Sequence, residues 1–332
     1  MPTGYSRIPA GEAAPVDFAA AFQSLVDNVE LVLRGKTEVV SLALTCLFAG
    51  GHLLIEDVPG LGKTSLARCI AASLDASCHR IQFTPDLLPS DVTGVTVYRQ
   101  GSNEFTFHPG PVFAHVVVAD EVNRASPKTQ SALLEVMEEG RVTVDGEPHP
   151  VPWPFFVVAT QNPVDMDGTY ALPEAQLDRF LMRIGMGYPD RAAEVAILRT
   201  RQSGLRVEDL SPVLSTAEMA SLIATTTQIH VSDTLHEYVV DVVAATRSLA
   251  RLRLGASPRG SIALLRAAQV RAAAAGRRFV TPDDVKALAV PVLAHRLIPT
   301  ADSELRGYGG SDAIREVLAA VPVPQALAGA GA

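Results

Sequence analysis

Apolar residues recur at helical spacing over residues 18–33, at Phe18, Phe22, Leu25, Val26 and Val29, and Gly35 ends the run. The pattern predicts one helix there and a second over 37–48, stopped by Gly50-Gly51. Residues 52–56 form a short continuous apolar run that reads as a buried strand. From 62 to 74 the helical period returns, with Leu66, Ile70 and Leu74 on one face. A second buried strand is predicted over 116–119, running into Asp120-Glu121. Ser126-Pro127 then combines a capping residue with proline at the first helical position, and that helix should run to Glu139 and stop at Gly140. Residues 155–159 give a third strand. Strands alternating with helices imply a mainly parallel sheet covered on both faces.

Two stretches break this rhythm. Residues 92–107 alternate, and Val95, Val97, Phe105 and Phe107 are expected to point one way across a polar loop, as in a hairpin. Residues 141–150 hold Asp145-Gly146, the dipeptide favoured by a tight primed turn. The return arm carries Pro148, Pro150, Pro152 and Pro154. Proline cannot donate to a ladder, so a protruding edge hairpin fits better than a core one. After Tyr188-Pro189 the strand signals cease. Helices are predicted over 190–202, 216–226, 233–252, 258–275 and 282–296, two of them opened by Ser257-Pro258 and Thr281-Pro282. The expected organisation is a flexible tail (1–16), an α/β nucleotide-binding domain (17–188), a small all-helical domain (189–320) and a second flexible tail (321–332).

Composition narrows the class. Hydrophobic residues make up 48% of the 332-residue chain and charged residues 19%, enough apolar material for real cores. The formal net charge is −8, without a run of Lys or Arg, so the sequence offers no electrostatic footprint for nucleic acid. Cys46, Cys69 and Cys78 form no Cys-x-x-Cys pair and read as reduced, packed thiols. The N-terminus lacks an apolar signal region, and the longest apolar stretch is broken by Gly50-Gly51-His52. A cytoplasmic protein without a membrane span is therefore expected.

The strongest chemical signal is IEDVPGLGKTS, residues 55–65, placed between a predicted strand and a predicted helix. Asp57, Val58, Pro59, Gly60 and Leu61 would begin a phosphate cradle that Gly62, Lys63, Thr64 and Ser65 complete. Gly60 and Gly62 let backbone N–H groups turn inward, and the positive end of the following helix faces the same way. Lys63 can reach the β- and γ-phosphates of ATP, and Thr64 can offer its hydroxyl to Mg²⁺. Asp57 departs from the usual pattern, which has glycine there.

In VVVADE (116–121), Asp120 would hold Mg²⁺, directly or through water, and Glu121 would polarise the attacking water. Acids ending a strand at a solvated edge are the plain alternative. In ATQNP (159–163), Asn162 can position water near the γ-phosphate, although Asn-Pro is also a turn dipeptide. Arg179, in LPEAQLDRFLMRI (172–184), reads either as a surface ion pair or as a finger for a neighbouring subunit's site. Arg259, in SPRGS (257–261), opposes the dipole at its helix start, which suggests a phosphate partner; a solvated side chain is the alternative. His108, His149 and His230 show no metal-ligand spacing and read as structural or exposed.

Taken together, GPVFAHVVVADEVNRASPKTQSALLEVMEEGRVTVDG, PFFVVATQNPVD and GTYALPEAQLDRFLMRI resemble the MoxR family of AAA+ ATPases, over a stretch from about Phe18 to about residue 318. The resemblance implies a P-loop AAA+ core with two hairpin inserts near 92–107 and 141–154, both facing a central pore, and a small helical lid. It makes Lys63 and Thr64 Walker A, Asp120 and Glu121 Walker B, Asn162 sensor 1, Arg179 the arginine finger and Arg259 sensor 2. It also implies a hexameric ring that works on client proteins as a chaperone or in cofactor and metal insertion, with a von Willebrand factor A domain partner. A slow ATP-dependent binding switch and a magnesium-chelatase-like ATPase use the same residues. A DNA helicase fits the inserts but not the acidic composition.

Overall fold

Helix α1 (Phe18–Val32) is the first element of the computed structural model, which describes residues 17–324 except 102, 163–169 and 204–205. The tails expected at 1–16 and 321–332 lie outside those residues, apart from 321–324. Asp17 caps α1, its carboxylate accepting the Ala19 N–H at 3.0 Å. Phe18 and Phe22 meet Phe48, at the end of α2 (Thr37–Phe48), with ring centroids 5.2 and 6.2 Å away. Strand β1 (Leu53–Glu56) leads through the glycine loop into α3 (Lys63–Ser73), and β2 (Cys78–Gln82) follows. A short helix, α4 (Pro89–Thr93), enters the hairpin β3 (Gly94–Arg99) and β4 (Glu104–Pro109). Then come β5 (Val116–Asp120), α5 (Pro127–Glu139), the hairpin β6 (Arg141–Val144) and β7 (Glu147–Pro150), β8 (Phe156–Gln161), α6 (Glu174–Leu177) and β9 (Met182–Ile184).

Among the described residues, five of these strands form one sheet in the order β2-β5-β8-β1-β9, every pair parallel. The C-terminal ends of β1, β5 and β8 therefore lie side by side, where open α/β sheets bind ligands. Alternate strand residues feed two apolar layers. Leu53, Ile55, Val116 and Val118 pack with α1, α2 and α3, whereas Leu54, Val117, Ala119 and Val157 pack with Leu133 and Leu134 of α5.

The helical part comprises α7 (Arg191–Ser203), α8 (Thr216–Thr226), α9 (Asp233–Ser248), α10 (Pro258–Ala274) and α11 (Pro282–Leu293), then α12 (Ala301–Leu305) and α13 (Gly310–Ala320). One short antiparallel pair, β10 (Leu252–Leu254) with β11 (Ile298–Pro299), ties it together. Its buried residues join the apolar layer of α1 and α2, so the lid packs onto one face of the sheet.

Three expectations change. Strands β2 and β9 escape the sequence because one is a polar edge strand and the other has three residues. The helix expected over 233–252 stops at Ser248, where the chain turns into β10. In the first hairpin Val95 and Val97 stand opposite His108 and Thr106, while Phe105 and Phe107 stand opposite Tyr98 and Thr96. The valines and phenylalanines thus occupy opposite faces. No residue of the hairpin is buried, so no core side imposed a single apolar face. The second hairpin turns at Asp145 and Gly146 with φ of 51° and 85°, the primed geometry its dipeptide favours.

Candidate active site

Gly60 and Gly62 adopt φ of 84° and 91°, in the region glycine visits without strain. Gly62 precedes α3, and no side chain caps the helix's first turn, so its leading amides border the cleft. Asp57 is not among the described residues with left-handed backbone, which explains why this position tolerates a side chain. Lys63 Nζ donates to the carbonyl of Asp57 and, at 3.4 Å, to that of Gln161. Burial lowers its pKa, and the carboxylates of Asp57, Asp120 and Glu121 only partly offset this.

Thr64 Oγ1 donates to Asp120 Oδ2 at 2.9 Å, which joins the two expected magnesium ligands directly. Asp120 is 6% exposed and also accepts from Thr160 Oγ1 at 2.6 Å and Arg80 Nε at 2.8 Å. Burial alone would raise its carboxyl, but the bonds from Thr160, Arg80 and Thr64 outweigh it and hold the group below the usual carboxylate range. Glu121 sits at φ 56°, ψ 49°, an uncommon conformation for a non-glycine residue. Its amide donates to Thr160 Oγ1 at 2.9 Å, and its carboxylate accepts from Gln82 at 2.9 Å and Arg124 at 3.0 Å. The resulting cleft measures about 320 Å³ and is lined by the glycine loop, Arg80, Gln82, Asp120, Glu121, Thr160 and Asn162. A hydroxyl and a carboxylate in contact, beside a lysine and a glycine cradle, are oxygen donors suited to magnesium and a polyphosphate.

Arg179 and Arg259 lie elsewhere. Helix α5 runs back from the end of β5, and the carbonyl of Met137 in its last turn meets His52 Nε2, just before β1, at 3.1 Å. Glu138 is therefore at the edge where strands begin, opposite the cleft. Its carboxylate pairs with Arg179 at 3.2 Å and Arg259 at 2.6 Å. Arg259, expected to meet a phosphate, pairs instead with Glu138, because the lid docks so that the start of α10 points at the end of α5. The Arg179 segment is held by the lid. Arg296, 7% exposed, donates to Asp178 Oδ1 at 2.7 Å and to the Phe180 carbonyl at 2.8 Å.

Sequence reasoning missed Arg80, Gln82, Thr160, Arg124, Glu138 and Arg296. Arg80 and Gln82, two apart, share a strand face, but β2 itself was not recognised. Thr160 stands within the quoted ATQNP stretch, where the amide drew attention instead. Among the described residues no group of His, Cys, Asp and Glu gathers as a metal site, and no helix is long and apolar enough to cross a membrane.

The profile of the family described as "ATPase family associated with various cellular activities (AAA)" matches residues 52–182, and that of the AAA lid domain matches 244–317. The chain is 48% identical to the uncharacterized protein YeaC of Bacillus subtilis over 90% of its own length and 93% of that protein. It is 40% identical to Chaperone MoxR1 of Mycobacterium tuberculosis, covering 98% of this chain and 89% of the relative. A solved crystal structure from Cytophaga hutchinsonii superposes with a TM-score of 0.86 at 37% identity, over 93% of this chain and 96% of that one.

Proposed function

The chain belongs to the MoxR family of AAA+ ATPases, and from that premise we propose that it hydrolyses ATP with Mg²⁺ to remodel or mature client proteins. The observation that carries the reading is the direct contact of Thr64 with Asp120 beside Lys63 and the two left-handed glycines. Thr64 and Asp120 would hold the magnesium ion, which when bound neutralises phosphate charge. Lys63 would exchange the carbonyls of Asp57 and Gln161 for phosphate oxygens. Glu121 would orient a water and take its proton as the water oxygen bonds the γ-phosphorus and the bridging oxygen leaves with ADP. Asn162 would help place that water.

Arg179 and Arg259 share Glu138 on the edge away from their own cleft, which supports a role for both in the cleft of a neighbouring subunit. That requires a ring, read here as a hexamer. The exposed Tyr98 and Phe105 of the first hairpin supply an apolar grip for a client in the pore. A von Willebrand factor A domain partner, cofactor or metal insertion into the client, and a cytoplasmic setting complete the proposal. One observation favours a slower, switch-like cycle: Gln82 and Arg124 hold the Glu121 carboxylate, so it must be released before it can act.

Mixing two inactive variants tests the arrangement. Arg179→Ala should lose about 10³–10⁵ in turnover and Glu121→Gln should also be nearly inactive. Mixed rings should regain activity, because an intact Glu121 then faces an intact Arg179 from the next subunit. No recovery, or full turnover by Arg179→Ala rings, refutes the trans assignment.

A further inference from the structure

We infer that Asp57 is a positioning residue that couples the phosphate loop to the connection between sheet and lid. The inference rests on the nucleotide reading above and adds a route by which occupancy of the loop reaches the lid. Three groups of Asp57 are engaged at once. Its N–H donates to the Gln161 carbonyl at 3.3 Å. Its carbonyl accepts from Lys63 Nζ. Its carboxylate accepts the Val58 N–H through Oδ1 and the Gly187 N–H through Oδ2, each at 2.7 Å. Gly187 lies between β9, which ends at Ile184, and α7, which begins at Arg191.

Lys36 Nζ donates to the carbonyls of Met186 and Gly187, each at 2.8 Å. Met186 is buried, whereas Tyr188 is exposed. Gly187 has φ of 64°, a backbone state that a side chain would strain, so the connection bends at a residue free to change. A carboxylate and an ammonium thus grip an amide and two carbonyls at the hinge between the two parts of the chain.

Lys63 and Gly187 are therefore joined through one residue. While Lys63 holds the Asp57 carbonyl, the 57–58 peptide is fixed and the carboxylate faces Gly187. When Lys63 turns to a phosphate, the carbonyl side of that peptide loses its partner while the Val58 N–H stays bonded to the carboxylate, so rotation of the peptide carries the carboxylate relative to the hinge. Such an element, biased from both ends, is the physical requirement for coupling. Glycine at position 57 could accept the lysine through its carbonyl but could not hold the hinge.

The test uses the full chain with Mg·ATP, measuring ATP affinity, turnover and amide hydrogen exchange at the phosphate loop and at 185–190. Asp57→Gly should bind ATP within about threefold of the native chain and keep nucleotide protection of the loop, while the nucleotide response at 185–190 disappears. Turnover should fall about tenfold, the scale of one lost charge-assisted hydrogen bond. Asp57→Asn, which keeps an acceptor oxygen, should restore the response at 185–190. A native-like hinge response in Asp57→Gly overturns the inference. So does loss of protection at loop and hinge together, which would mark Asp57 as a local brace. If the native chain fails to bind ATP, the nucleotide reading beneath the inference falls instead.

Discussion

Replacing Thr160 with valine should separate a structural hydroxyl from a structural methyl at the centre of the site. The side chain is 1% exposed, and valine nearly matches its shape but not its polarity. Its hydroxyl donates to Asp120 at 2.6 Å and accepts the Glu121 amide at 2.9 Å. Losing a bond to a charged group costs about 1.5–3 kcal/mol, and an amide left without a partner costs about 1–3 kcal/mol, less where cleft water can reach it. A loss of roughly 2–4 kcal/mol in the α/β domain follows. Asp120 also loses the first of the bonds that oppose its burial, so its carboxyl should titrate higher. Glu121 is held in a left-handed conformation by that same amide contact. Released, it should misplace water and lower turnover by about 10²-fold. Urea unfolding and steady-state ATPase rates measure the two effects, with Thr160→Ser as the control that keeps the hydroxyl. If Thr160→Val unfolds within about 0.5 kcal/mol of native and turns over normally, the hydroxyl is not what positions these two acids.

Acid should weaken the fold through histidine. Burial pushes His52 down to about 4, and its ring bridges the Met137 carbonyl and the Val157 N–H, each at 3.1 Å. Its folded pKa lies below the unfolded value, so the unfolded chain binds more protons between pH 6.5 and 4. Stability is then fully present above that window and falls as pH drops through it, by on the order of 3 kcal/mol from this group alone. His115 and His295 are lowered too and add the same sign. A flat unfolding midpoint across the window contradicts this. Phe105 is 75% exposed, so Phe105→Ser should leave the melting temperature nearly unchanged, within about 0.5 kcal/mol of stability, while reducing client-stimulated turnover. A large thermal loss would show that the hairpin is part of the core.

The three central strands and most helices were legible because burial on both faces of a parallel sheet leaves unbroken apolar runs, and because caps such as Ser126-Pro127 and Thr281-Pro282 mark where helices begin. The glycine loop was legible because its backbone demands glycine at 60 and 62 and not at 57. Strand β2 carries too few buried residues to leave a period, and Arg80 and Gln82 were hidden with it. Glu138 could not be read at all. It is one acid among several on α5, and only the docking of the lid brings Arg179 and Arg259 to it. Asp57 looked like a defect in a motif until the fold placed Gly187 against its carboxylate.

Titration of the native chain and Lys63→Ala with Mg·ATP, followed by calorimetry, tests the central claim most directly. The native chain should take up one ATP per subunit in a magnesium-dependent manner, and Lys63→Ala should bind about 10–100-fold more weakly, the scale of a lost bond between an ammonium and a phosphate. Equal affinities for the two proteins, or no uptake by the native chain, would contradict the account.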